Sequence, residues 1–472
     1  MATDTLPCLR FMDKQMLQNL IRIVATILLG SSFVTAQAPS GSNEAAEILV
    51  NLIKINTSNP PGNETQAAQY MKSLLDKEGI PSEIFESAPG RGNIVARLKG
   101  SGKARPLMLM AHLDVVGVER DRWTVDPFAG VIKDSYVYGR GASDDKGMLA
   151  ANLAAFLQLH REKALLDRDI ILLAEAGEEG TPQYGIEYMI KNHWDKIECE
   201  YVINEGGAIH IQNGVVNYVA IATTEKVPRG MTVTARGSSG HGSMPRPDNP
   251  VVHLSAAIAK LGNWQTPMRL NDTTRVYFQK LAQIADPELK ALLANLNAPA
   301  TQSALQQKYW SEYSKLRTSI VPTIIKGGFR SNVIPADAEA TLDVRALPDE
   351  DIPALIEQMK KIVNDPAIEI KRVSADNRPA SPPSRLDTDL YHAMESTAKK
   401  MFPTAITMPD MLTGATDSAQ LRAKGVQGYG ISTPKTEEDV HRVHGNDERT
   451  SVDGLNTFTK YLHDVVVAVA GK

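Results

Sequence analysis

A chain of 472 residues, 42% hydrophobic and 22% charged, holds more apolar mass than one core absorbs, because single cores rarely grow past about 250 to 300 residues; two domains are expected and wholesale disorder is excluded. A formal charge of −4 gives no field to gather a polyanion, and no Lys/Arg cluster interleaves with aromatic residues, which excludes nucleic acid as a partner.

The N-terminus reads as a secretory signal. Lys14 and Arg22 precede an apolar run at 23–34 that ends in the small residues of Val34-Thr35-Ala36, and Pro39 disfavours a cut after Ala38, so residues 1–36 are expected to be removed. The run is short for a membrane span, so no stable membrane anchor is expected, with an uncleaved anchor as the alternative. Export to the periplasm or the extracellular space follows, with Met12 or Met16 as alternative starts. Cys8 would leave with the signal, and Cys199 alone cannot close an intramolecular disulfide, so the fold must rest on its core.

From residue 43 to about 226, helix and strand patterns alternate: helices at 44–55 and 64–78, strands at 93–98 and 106–111, a helix at 147–163, a strand at 169–174, a helix at 184–193 and a strand at 201–203. Such alternation predicts an α/β fold with a mostly parallel central sheet, in which ligands gather beyond the carboxyl ends of the strands. Near residue 227 the texture changes. A half-exposed strand at 230–236, a Gly/Ser/Pro-rich loop, a helix at 250–261 and a helical stretch at 266–317 precede strands at 323–329 and 338–345, a helix at 352–364 and a strand at 368–373. That order, β-α-β-β-α-β, predicts a small α+β domain, residues 227–374, inserted between two parts of a catalytic domain, 43–226 and 375–472, with the Pro-rich 377–385 as return linker.

Four islands of His, Asp and Glu stand just past apolar runs or before a helix: His112-Leu113-Asp114, Ser143-Asp144-Asp145, Glu178-Glu179 and Asn204-Glu205; a fifth, His444-Gly445-Asn446-Asp447-Glu448, stands far downstream. Two apart on an extended segment, His112 and Asp114 share a face, so Asp114 can accept the second ring N–H of a metal-ligating His112. Adjacent carboxylates repel unless one is neutralised by a cation, which divides the labour: Glu179 coordinates metal while Glu178 takes a proton from the attacking water. Glu205 and His444 complete five ligands for two cations bridged by Asp144, with His441 the competing ligand. A serine hydrolase is disfavoured by the missing GxSxG elbow, and a P-loop is absent because Ala104 follows Gly102-Lys103.

These motifs, with Trp123-Thr-Val-Asp-Pro-Phe, Gly139-Arg-Gly-Ala-Ser-Asp-Asp-Lys-Gly and the Gly-Ala-Thr-Asp of 414–417, resemble the di-zinc family of aminoacylase, glutamate carboxypeptidase, acetylornithine deacetylase and succinyl-diaminopimelate desuccinylase over nearly all of 44–470. The resemblance implies one Zn²⁺ on His112, Asp144 and Glu205 and a second on Asp144, Glu179 and His444, with Co²⁺ or Mn²⁺ as alternatives. It also implies a cis peptide between Asp144 and Asp145, Asp114 orienting His112, and Glu178 as general base. The inserted domain resembles the family's lid and dimerisation domain: His241 would reach a neighbouring subunit's site and stabilise the oxyanion, while Asn332 and Arg345 would grip the substrate's carbonyl and carboxylate. For Arg345 the competing reading is a strand-face salt bridge. The expected function is an exported zinc metallopeptidase, a carboxypeptidase or dipeptidase releasing a C-terminal amino acid. The alternatives are an N-acyl-amino-acid amidohydrolase and a non-catalytic binding protein. The substrate would be a small peptide or an N-acyl amino acid, and a homodimer through the lid is implied.

Overall fold

Leu107-Met108-Leu109-Met110-Ala111-His112 forms a strand buried on both faces, as an unbroken apolar run does at the centre of a parallel sheet. Leu107, Leu109 and Ala111 join one apolar cluster and Met108 and Met110 another on the opposite face, the period of two that a strand imposes. In the computed structural model, which describes residues 43–373 and 378–471, this strand lies between the parallel strands Ile170–Glu175 and Tyr201–Asn204, with Gln427–Gly430 parallel beyond the latter. Antiparallel strands flank this parallel centre: Gly92–Leu98 and Ser82–Glu86 on one side, Val215–Glu225 and Ala208–Gln212 on the other, in a ten-stranded sheet. The segment expected to be a signal, residues 1–36, lies outside the described residues, as does Cys8.

Helices cover both faces. Glu44–Lys54, Glu64–Lys77, Lys146–Arg161, Asp389–Met401 and Val452–Ala470 pack on one; Ile186–Asn192 and Ser418–Ala423 pack on the other. The helices and strands expected over 44–203 form with ends shifted by a residue or two. The hairpin Ala208–Gln212 to Val215–Glu225 was not anticipated, although its turn is written in the chain: Asn213 and Gly214 both take positive φ, and Gln212 pairs with Val215. Cys199 is fully buried and burial pushes its thiol up to about 12, so it is a packing residue.

A second, five-stranded antiparallel sheet is built from Met231–Arg236, Ser319–Gly327, Asp337–Ala346 and Ile368–Arg372, with Val227–Pro228 on one end. Helices Pro250–Asn263 and Ile352–Val363 close a separate core on it, through Leu254, Leu261, Leu355 and Met359 against Met231, Val233, Leu342 and Val344. Residues 272–315 are helical, as their composition suggests, yet they pack on the central sheet: Tyr277, Phe278, Leu289 and Leu305 cluster with Ala220 and Met408. Lys315, at the end of that stretch, holds Asp410 of the strand Ile406–Leu412 at 2.5 Å, both side chains about nine-tenths buried. Among the described residues no helix is long and apolar enough to cross a membrane.

The Lys315–Asp410 pair yields a stability prediction. Lys315→Ala leaves a buried carboxylate without its counter-charge and should cost about 3–5 kcal/mol in chemical denaturation, whereas Lys315→Met combined with Asp410→Leu should recover most of it. A single-variant loss under about 1 kcal/mol would mean that water already reaches Asp410.

Candidate metal centre

The site is assembled at the carboxyl ends of the parallel strands, where register sets His112 opposite Glu175 and leads Tyr201–Asn204 into Glu205. His112 is 2% exposed. Its Nδ1 lies 2.9 Å from the main-chain oxygen of Asp114 and 3.5 Å from the Asp114 carboxylate; a carbonyl only accepts, so Nδ1 donates and Nε2 is left for a ligand role. The Asp114 carboxylate has further work beside the ring. Oδ1 accepts the N–H groups of Gly177 and Glu178 at 2.9 and 3.1 Å, and Oδ2 accepts Glu179 N–H at 3.1 Å and Asn59 Nδ2 at 2.8 Å. It thereby folds the loop that presents Glu178 and Glu179. That loop turns at Gly177, whose φ is +80° and where a Cβ would stand 2.4 Å from the Thr181 carbonyl oxygen.

Asp144 sits between the two histidines: Oδ1 is 3.1 Å from His112 Nε2 and Oδ2 is 3.1 Å from His444 Nε2. His444 Nε2 is also 2.8 Å from Glu179 Oε1, and His112 Nε2 is 3.9 Å from Glu205 Oε2. The Asp144–Asp145 peptide is cis, as the resemblance implied. Fully buried Glu448 fixes the turn: its carboxylate accepts the N–H groups of Gly141, Ser143 and Asp144 and an Arg140 Nη1 contact of 2.6 Å. One acid on the His444 segment thus aims the Asp144 segment. His441, the competing candidate, lies outside the cluster and pairs with Glu437 on the surface.

The residues present fit a pair of cations. Three donor groups have ligand atoms within 4.8 Å of one another: Asp144, Glu179 and His444; His112, Asp145 and Glu205; and His112, Glu178 and Glu179. Imidazole nitrogens and carboxylate oxygens are a zinc donor set. Burial pushes Glu178 up to about 8 against the Arg378 charge, and burial with the nearby Glu178 charge raises Glu205 well above the carboxylate range. Asp144 is held low: burial opposes its charge, and the His112 and His444 rings outweigh it. Asp144 and Glu179, which accept a hydrogen bond from the protonated ring, push His444 up to about 10. So many buried acids around two imidazoles concentrate negative potential where a divalent cation would sit.

A cavity of about 550 Å³ opens onto Asp144, Glu178, Glu179, Glu205 and His444, walled by Pro228, Arg345, Arg378, Leu412 and residues 413–416. Arg345 reaches this wall and also makes the strand-face ion pair, Nε to Asp343 at 2.8 Å. His241 and Asn332 do not line the cavity of their own chain. They stand exposed where Gly240–His241 pairs with Val333–Ile334, and the His241 Nδ1 accepts the Ser243 hydroxyl at 2.7 Å. Sequence reasoning missed Arg378, Asn59 and the bonding of Glu448. Nothing in their spacing marks the first two, and the position of Glu448 beside His444 was the available signal.

Residues 108–468 match peptidase family M20/M25/M40, and the chain belongs to that family. It is 28% identical over 447 residues to the human N-fatty-acyl-amino acid synthase/hydrolase PM20D1, covering 90% of this chain and 86% of that protein. It is 27% identical over 386 residues to the probable carboxypeptidase S-like 2 of Dictyostelium discoideum, covering 79% of this chain and 74% of that one. Its fold matches the M20 metallo-carboxypeptidase Sso-CP2 of Sulfolobus solfataricus with a TM-score of 0.67, at 20% identity over 90% of this chain and 99% of that one. The protein is a hydrolase of the M20 class, with peptidases and amidohydrolases among its relatives.

The Glu448 anchor makes a prediction. Glu448→Gln should keep the fold and weaken divalent-metal binding by about 10- to 100-fold in chelator competition, the range for residues that hydrogen-bond metal ligands. Unchanged affinity would show that the Asp144 turn holds itself.

Proposed function

We propose that this chain is an exported di-zinc carboxypeptidase or dipeptidase that releases a C-terminal amino acid. The observation that carries the reading is Asp144 standing between His112 and His444, with Glu178 and Arg345 lining the same cavity. His112, Asp144 and Glu205 would hold one ion and Asp144, Glu179 and His444 the other; zinc suits the donors, and Co²⁺ or Mn²⁺ could replace it. When bound, the ions supply a water of lowered pKa, about 7, and polarise the scissile carbonyl. Glu178 takes the proton from the attacking water and delivers it to the leaving amine. The Arg345 fork receives the carboxylate that both peptides and N-acyl amino acids carry beside the scissile amide. His241, exposed on the two-stranded ribbon formed by Gly240–His241 and Val333–Ile334, supplies the oxyanion contact to a neighbouring copy, with Asn332 beside it, so the working form is a homodimer through the lid. Residues 1–36 direct export, and N-terminal sequencing of the secreted form should read from Gln37.

A second reading, an N-acyl-amino-acid amidohydrolase, is favoured by one finding, the similarity to PM20D1. It uses the same residues on the same bond. A panel of free dipeptides beside N-acyl amino acids decides between them: turnover of dipeptides supports the first, and turnover of the N-acyl compounds alone replaces it with the second. Chelation should stop hydrolysis and zinc should restore it. Glu178→Gln should retain both ions and lose at least about 100-fold in kcat. Hydrolysis that survives chelation, or a Glu178→Gln variant with full activity, would refute the mechanism.

A further inference from the structure

We infer that Arg378 is a positioning residue that fixes the orientation of the Glu178 carboxylate and ties it to the second sheet. Arg378 Nη2 donates to Glu178 Oε1 at 2.5 Å and to the main-chain oxygen of the same residue at 3.1 Å. One guanidinium nitrogen therefore grips both side chain and backbone, which selects a single rotamer. Oε1 is occupied, and among the described residues none hydrogen-bonds Oε2, so that oxygen is the one presented to the cavity that Glu178 lines.

Behind this contact lies fully buried Asp417, 3.5 Å from Arg378 Nη2 and beside Glu175, which is 1% exposed. Arg378 bonds Glu178 and faces Asp417, so its removal would set Glu178 against Asp417 and turn the carboxylate away. A direct role on substrate fits less well. The Arg378 side chain is 14% exposed, with Nη1 buried and without a hydrogen-bond partner among the described residues, whereas Arg345 is 36% exposed and, although its Nε and Nη2 bind Asp343, is the more accessible guanidinium.

The position of Arg378 in the chain adds the link to the second sheet. It lies on the return from that sheet, and its main-chain oxygen accepts Nη1 of Arg229 at 3.1 Å. Arg229 belongs to the second sheet itself, between Val227–Pro228 and Met231–Arg236, where its N–H bonds Val344 of the strand Asp337–Ala346. The second sheet and the returning chain thus meet at the residue that holds Glu178, and the setting of that sheet is transmitted to the proton acceptor.

This inference rests on Glu178 as the base. The test uses Arg378→Ala, Arg378→Lys and Arg229→Ala in the full protein, assayed on whichever dipeptide or N-acyl amino acid the parent hydrolyses, with zinc content measured beside kinetics. Arg378→Ala should lose about 100-fold in kcat with KM within about threefold and both ions retained. Millimolar guanidinium should restore part of that kcat, Arg378→Lys should retain more activity than Arg378→Ala, and Arg229→Ala should lose kcat by a smaller factor. An unchanged kcat overturns the inference, as does a rise in KM at full kcat, which moves Arg378 onto the substrate, or a parallel loss of zinc. A parent that hydrolyses nothing defeats the base assignment itself, whereas an active parent with a fully active Arg378→Ala defeats only this inference.

Discussion

Each oxygen of Asp144 faces a different histidine nitrogen, and the remaining site depends on that placement. A lone pair on His112 Nε2 and a carboxylate oxygen 3.1 Å away are two acceptors, stable together only with a proton or a cation between them. The same holds on the His444 side, where Glu179 adds a second acid. A proton on each ring would satisfy the local charge but leave nothing to activate water. A divalent ion in each position satisfies the charge and provides that chemistry, which is why the proposed function follows from the arrangement more directly than from any single residue.

Keeping that many acids in a buried site is costly, and the chain offsets the cost with fixed donors. Asp114 is surrounded by three N–H groups and the Asn59 amide; Glu448 by three N–H groups and Arg140; Glu178 by Arg378. These bonds do double duty. Asp114 and Glu448, neither proposed as a ligand, each fold a loop that carries one, so those two loops are held before any ion or substrate arrives, as preorganised electrostatic stabilisation requires. The strands beneath supply the alignment: the register that puts His112 level with Glu175 also puts the two following loops within reach of each other.

The fold was legible where one face or one period governed the residues. The strands at 107–112 and 170–175 are unbroken apolar runs, and Glu44–Lys54 and Val452–Ala470 carry apolar stripes that the core absorbs. The hairpin turning at Asn213-Gly214 escaped because its strands run almost directly into the change of texture at 227, so its turn signal was passed over. The destination of 272–315 was also illegible: helical composition predicts helices, but only the third dimension says that Tyr277 and Leu305 meet the central sheet instead of the second one.

The candidate site was legible in its acids and histidines through their joint order and the family resemblance, since His112-Leu113-Asp114 or Asp144-Asp145 alone is a weak signal. His444 joins the cluster and His441 does not, in keeping with the residues around each. What the sequence could not give was the bonding that orients them. Arg378 reads as one arginine in a Pro-rich linker, and its contact with Glu178 spans two hundred residues. The account is tested most directly by calorimetric titration of the metal-free protein with zinc. It predicts two ions for the parent, one for His444→Ala, one for His112→Ala and none held tightly by Asp144→Ala, because that carboxylate serves both positions. A single ion in the parent, or an Asp144→Ala protein that still binds two, would contradict it.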